Sequence, residues 1–192
     1  MRLGWTYKQF ASAFSRWLIA VVCLSAAQAA SAVDREAKLR AAFLYRLAFF
    51  VEWPAARFAS AQSPIMLCIA PDTGAELVNE LSALGNRERK ASGAASAARK
   101  LQVRALTASQ DSADCHLLYG EQLEPSLSGR DRLLVVGTLD ALKLSGGLAL
   151  VREQRAEGDA RLVFFAHKQR LHDASIKLSS KLLQLVRFYE PS

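Results

Sequence analysis

The chain has 192 residues, 51% of them hydrophobic and 22% charged, with 25 Lys and Arg against 18 Asp and Glu for a net charge of +7. That length suits one domain with one core. The basic excess is dispersed along the chain, not blocked, which argues against a nucleic-acid partner.

Residues 1–32 read as a secretory signal peptide. Arg2, Lys8 and Arg16 give a basic start without a carboxylate, Trp17 to Ala27 is an apolar stretch, and Ala30-Ser31-Ala32 is a small-residue cleavage site. Cleavage is expected after Ala32, with Ala29 the second choice. The apolar stretch is eleven residues long, short of the roughly 20 that a membrane span needs. Val22 before Cys23 is not the small residue that a lipoprotein signal requires. Without its leader the chain keeps 22 basic residues against 18 acidic ones, a net charge of +4. An exported location, the periplasm, is the expectation.

The domain, residues 33–192, opens on LRAAFLYRLAFFVEWP, Leu39 to Pro54. Leu39, Phe43, Leu47 and Phe50 fall at helical spacing, and their neighbours widen the apolar stripe almost to a full circumference. A helix of that kind is buried in a core or against a partner. Asp34 is placed to cap it and Pro54 to end it.

Pro64 to Ala70 is a short continuous apolar run, as expected of a strand buried on both faces. Pro71 to Gly74 is a turn, and Thr73 with Glu76 makes a capping box for a helix Ala75 to Leu84, stopped by Gly85. Asn86 to Lys100 reads as a loop or a marginal helix. Strands come next at Leu101 to Leu106, Cys115 to Tyr119, Leu133 to Val136, Leu148 to Val151 and Arg161 to Ala166. Short helices are expected around Gln122 to Leu127 and, capped by Thr138, over Leu139 to Leu144. Ile176 to Tyr189 has the spacing of an amphipathic helix. The alternation predicts a single α/β domain, with a mostly parallel six-stranded sheet, helices on both faces and an antiparallel edge hairpin.

Cys68 and Cys115 flank short apolar strands. In an oxidising compartment they are expected to bridge, closing a loop worth on the order of 4 kcal/mol. The alternative is two buried free thiols on separate strands.

Catalytic patterns are lacking in the sequence. There is no G-x-G-x-x-G after a strand, no P-loop and no G-x-S-x-G. Cys115 and His116 are adjacent in a strand and point to opposite faces, so they make a poor thiol and base. His167, His172 and Asp173 lack the spacing of a metal site. Glu52, Asp72, Glu76 and Glu153 are scattered. No cofactor, no metal and no enzymatic activity are expected.

Five stretches, AAFLYRLAFFVEWP, PIMLCIA, CHLLYG, LLVVGTLDALKLSGGLALV and IKLSSKLLQLV, resemble the YfiR-like family of exported bacterial proteins. The resemblance implies a compact periplasmic α/β domain, often a homodimer. It implies repression of a membrane-anchored diguanylate cyclase through that enzyme's periplasmic region, lowering cyclic di-GMP and biofilm formation. A sensor kinase is the other implied target, and an outer-membrane lipoprotein can sequester such a repressor. The redox state of the cysteines is implied to affect stability. Where the family has a Phe-Glu-Ile-Asn-like strand end, this chain has Phe164-Phe165-Ala166-His167. Contacts with a partner are expected at Trp53, Arg57, Phe165, His167 and Lys177, because aromatic and basic residues at element ends are enriched in interfaces. The other reading is a small-molecule site at the carboxyl ends of the parallel strands.

Overall fold

The computed structural model describes residues 35–92, 99–107, 112–121, 134–144, 146–154 and 160–190. The chain divides into two units, Met1–Ala37 and Lys38–Ser192. Apart from the first residues of α1, every helix and strand named below belongs to the second unit. The expected leader, and the helix expected around Gln122 to Leu127, lie outside the described residues.

Helix α1 covers residues 35–50. It buries Ala41, Leu44, Leu47 and Ala48 completely or nearly so, while Leu39 and Phe49 stay exposed. Each of the two buried leucines gains about 2 kcal/mol from removal of its side chain from water. The helix stops before Pro54: Val51–Glu52 is extended as β1 and pairs antiparallel with β8 (Lys177–Leu178), with Val51 opposite Leu178 and Glu52 opposite Lys177. A 3-10 turn, Ala55–Arg57, comes after it.

The main sheet has seven strands in the order β3-β2-β4-β5-β6-β7-β9. Strands β2 (Ile65–Ile69), β3 (Leu101–Ala105), β4 (Leu117–Tyr119), β5 (Leu134–Gly137) and β6 (Leu148–Gln154) run parallel. Strand β7 (Ala160–Ala166) pairs antiparallel with β6, and β9 (Val186–Phe188) lies parallel to β7. Because β2 leads first to β3 on one side and then to β4 on the other, the order reverses between β2 and β4. In open α/β sheets that reversal is where a ligand crevice forms.

The pleat sorts the apolar runs onto two faces. Leu67, Ile69, Leu117 and Tyr119 join the large core, together with Leu44 and Leu47 of α1 and Leu77 and Leu81 of α2 (Ala75–Ser92). Cys68, Ala70, Cys115 and Leu118 form a smaller core with Ala141 of α3 (Leu139–Leu144). Helices therefore cover both faces, as the alternation predicts. Thr138 caps α3, its Oγ1 accepting from the N–H of Ala141 at 3.3 Å.

Three sequence expectations change. Helix α2 runs through Gly85 to Ser92 instead of ending at Leu84; one glycine costs only about 1 kcal/mol within a helix, and Arg87 and Glu88 are good helix formers. Because it starts at Ala75, Gly74 and not Thr73 takes the capping position. The terminal segment is not one helix. It forms β8, the four-residue α5 (Ser180–Leu183) and β9, after α4 (Lys168–Asp173). Ile176, Leu178, Leu182 and Val186 all reach the large core, and Val186–Phe188 adds a seventh strand beside β7. The hairpin β6–β7 forms, with β9 outside it.

Candidate functional site

The two ends of the parallel strands differ in what their residues are free to do. At the amino end, β2 and the approach to β4 hold an aromatic stack. The backbone N–H of His116 donates to the carbonyl of Met66 at 2.9 Å, and Met66 N–H donates to Nδ1 of His116 at 3.1 Å. Nδ1 is thus an acceptor, which places the imidazole proton on Nε2, a buried atom without a hydrogen-bond partner among the described residues. Phe58 stacks on the imidazole at 4.5 Å, and Trp53 meets it edge-on at 5.7 Å. The guanidinium of Arg99 lies 3.6 Å over Phe58 and donates to the carbonyls of Ser60 and Ser63. Burial, and then the charge of Arg57, lower the pKa of His116 from 6.5 to about 4. It is neutral at pH 7 and serves as a packing residue.

Beyond the stack, the same end of the sheet opens into a groove of about 630 Å³. Leu171, Ile176, Leu178, Leu183 and Phe188 supply its apolar walls. Lys168, His172 and Lys177 also line it, with Glu52 beside Lys177 on the neighbouring strand. Leu183 is 44% and Phe188 49% exposed, and Leu185 beside them reaches 64%. Exposed large apolar side chains grouped in this way mark interaction sites more often than scattered ones do. Ser175, at φ 54°, turns the chain sharply from α4 toward β8. Its N–H donates to the carbonyl of His172, and the next N–H, from Ile176, donates to that of Leu171.

The five expected contact residues do not form one cluster. Trp53 is half-buried, its Nε1 donating to the carbonyl of Ala48 at 2.8 Å, where it closes the end of α1. Arg57 donates to the carbonyl of Cys115. Phe165 pairs in register with Arg187, whose guanidinium lies 5.9 Å from its ring. The pleat sets both on the face opposite Phe164 and Val186. His167 precedes α4, 6.1 Å from Tyr189, with its pKa lowered by burial and then by Arg170. Of the five, Lys177 alone stands in the groove. Sequence reasoning missed Leu183 and Phe188 because it read their segment as a helix. The alternation Val186-Arg187-Phe188, an apolar-polar-apolar triplet, was the available signal.

The carboxyl end looks different. At the reversal point Asp72 Oδ2 accepts from the backbone N–H of Glu121 at 3.0 Å. Arg40 of α1 reaches across to donate to the hydroxyl of Tyr119 at 2.6 Å and lies 4.0 Å from the carboxylate of Glu121. Thr138 Oγ1 donates to the carbonyl of Glu121 at 3.3 Å. Among the described residues, the groups that would line a ligand crevice are engaged with one another.

Cys68 and Cys115 are bridged. No described helix is long and apolar enough to cross a membrane, and among the described residues no three of His, Cys, Asp and Glu gather as metal ligands. A family model described as YfiR/HmsC-like matches residues 37–187. No curated protein matches the chain.

Proposed function

The chain belongs to the YfiR/HmsC-like family, and from that premise we propose that it binds and represses a membrane-anchored signalling enzyme, a diguanylate cyclase, and so lowers cyclic di-GMP output. The family is one of periplasmic, non-catalytic regulators of cyclic di-GMP signalling. In this reading residues 1–32 are a leader removed on export, and the partner is the cyclase's periplasmic region. A sensor kinase in its place, an outer-membrane lipoprotein as sequestering competitor, and self-association as a homodimer belong to the same proposal.

The observation that carries the reading is the open groove walled by Leu171, Leu183 and Phe188 and lined also by Lys168 and Lys177. Apolar walls supply the affinity of an interface and the lysines favour an acidic partner segment. Lys177 is then a direct contact. Phe165 and His167 lie on the adjoining strand end as outer contacts, while Trp53 and Arg57 hold the supporting platform. Binding represses only to the extent that the regulator prefers the inactive state of the cyclase over the active one.

The test is deletion of the gene together with capture of cyclase periplasmic regions by the purified protein. Raised cyclic di-GMP and biofilm on deletion, with one captured region, are expected. Unchanged cyclic di-GMP and no capture would refute the reading.

A further inference from the structure

Strand β3 ends the main sheet, with β2 as its neighbour on one side. Ile65 N–H donates to the carbonyl of Lys100 and Leu106 N–H to that of Ile69, each at 2.8 Å. Those bonds set the phase of the strand, since successive residues aim their backbone groups to opposite sides. Gln102 and Arg104, in step with Lys100 and Leu106, face β2. Leu101, Val103 and Ala105 direct their N–H and C=O groups outward, where no strand is paired among the described residues. The protections common at sheet edges are missing here. β3 holds no proline, and its register with β2 is continuous from Leu101 to Ala105, without a bulge. Its one charged side chain, Arg104, is turned to the sulfurs of Cys115 and Cys68, at 3.5 and 3.7 Å.

A groove of about 510 Å³ follows this edge. Three successive residues, Leu101, Gln102 and Val103, line it, although their side chains alternate between the faces of the sheet; the groove therefore tracks the backbone. Leu81, Ser82 and Gly85 of α2 form the facing wall. Outside its own helix, a Cβ placed on Gly85 would meet the carbonyl oxygen of Leu101, at 3.9 Å. A glycine at that point weakens α2 and keeps the way to this outward carbonyl open. Lys100 is the one charged residue in the lining, and residues 99–105 hold Arg99, Lys100 and Arg104 without an acid. A second copy paired edge to edge would bring both sets of cations to one seam, which like-charge repulsion disfavours.

We propose that the β3 edge is a further docking site, and that it takes an extended acidic segment of another protein as an added strand. The segment's backbone pairs with the outward groups of Leu101, Val103 and Ala105, which gives affinity independent of sequence. Its alternate side chains on the α2 side are apolar and fill the groove against Leu81 and Val103. Those on the other face, beside Lys100, carry carboxylates. This edge is separate from the groove at α4 and β9, and the proposal does not depend on which protein docks there.

The test uses the purified protein and two end-blocked peptides, Thr-Val-Glu-Val-Glu-Val-Thr and the same sequence with lysine in place of glutamate. The acidic peptide is expected to bind with a dissociation constant below about 1 mM, and the basic one at least about tenfold more weakly. Hydrogen exchange at the amides of Leu101, Val103 and Ala105 is expected to slow when the acidic peptide is bound. Gly85→Gln favours the helix and fills the groove, and Ala105→Pro deletes an outward donor at an edge position that tolerates proline. Each is expected to weaken the acidic peptide at least about tenfold. No binding of the acidic peptide at about 1 mM, equal binding of the two peptides, or binding without slowed exchange in β3 overturns the proposal. Self-association of the protein alone that Ala105→Pro abolishes also overturns it, because the edge is then taken by a second copy.

Discussion

The two ends of the parallel sheet are built from similar material and put to different use. At the carboxyl end, where the strand order reverses between β2 and β4, Asp72, Arg40, Tyr119, Glu121 and Thr138 are joined to one another. At the amino end a half-buried aromatic stack and a disulfide hold a platform, and beside it α5, β9 and the turn between them leave Leu183, Leu185 and Phe188 exposed, with Leu183 and Phe188 lining a groove. A ligand-binding α/β protein leaves its carboxyl-end crevice open. Among the described residues the open surface is at the other end, and it is apolar with lysines in its lining, which suits a protein partner better than a small polar ligand.

If the amino end is a stapled platform, cutting the staple is the largest perturbation available. Replacing Cys68 and Cys115 by serine removes a bridge across 47 positions of sequence, and the chain-entropy model assigns it about 4 kcal/mol. Denaturant unfolding reads this as a lower midpoint at similar slope. A loss below about 1 kcal/mol would mean that the bridge does not hold the platform.

Acid should loosen the same end. The unfolded imidazole of His116 takes up its proton near pH 6.5 and the folded one only near pH 4. Between those values the unfolded chain binds more protons, so stability is full above pH 6.5 and falls as the pH drops toward 4. The loss attributable to His116 is on the order of 3 kcal/mol at most. Unfolding measured from pH 7 to pH 4, with His116→Phe as the reference for carboxylate titration, isolates it. Identical slopes for the two proteins would show that His116 has no part in the acid response.

The carboxyl end is perturbed more gently. Tyr119→Phe deletes one acceptor of Arg40 and should cost about 1 kcal/mol of stability, read by thermal or denaturant unfolding, while leaving partner binding unchanged. Smallest of all, Ser175→Gly relieves a left-handed residue at the turn into β8 and should gain up to about 1 kcal/mol. A loss at that position would show that the serine side chain matters more than the backbone strain.

Much of the fold was legible because its signals are local. The apolar runs of β2, β5 and β6, the Thr138 cap and the apolar face of α1 each need only a few residues of sequence. The errors came where tertiary packing overrode local pattern. Ile176, Leu178, Leu182 and Val186 satisfy a helical spacing, yet each is placed in the core from a short strand, turn or single helical turn. Gly85 reads as a stop, although nothing at that point obliges α2 to end. The site was less legible for the same reason. Trp53 and Arg57 carry the composition of a contact surface, but Nε1 of Trp53 and Nη2 of Arg57 are engaged with the carbonyls of Ala48 and Cys115. Leu183 and Phe188 become visible as groove walls only once the segment is known to break into the short α5 and the strand β9.

The proposed docking at the amino-end groove is decided by the affinity of the proposed partner, a cyclase's periplasmic region, for three proteins: the parent, Phe188→Asp and Tyr119→Phe. Phe188→Asp is expected to weaken binding at least tenfold, about 1.4 kcal/mol, while Tyr119→Phe binds as the parent does. Equal binding by the parent and Phe188→Asp, or a loss confined to Tyr119→Phe, would place the site at the other end of the sheet and contradict docking at the groove.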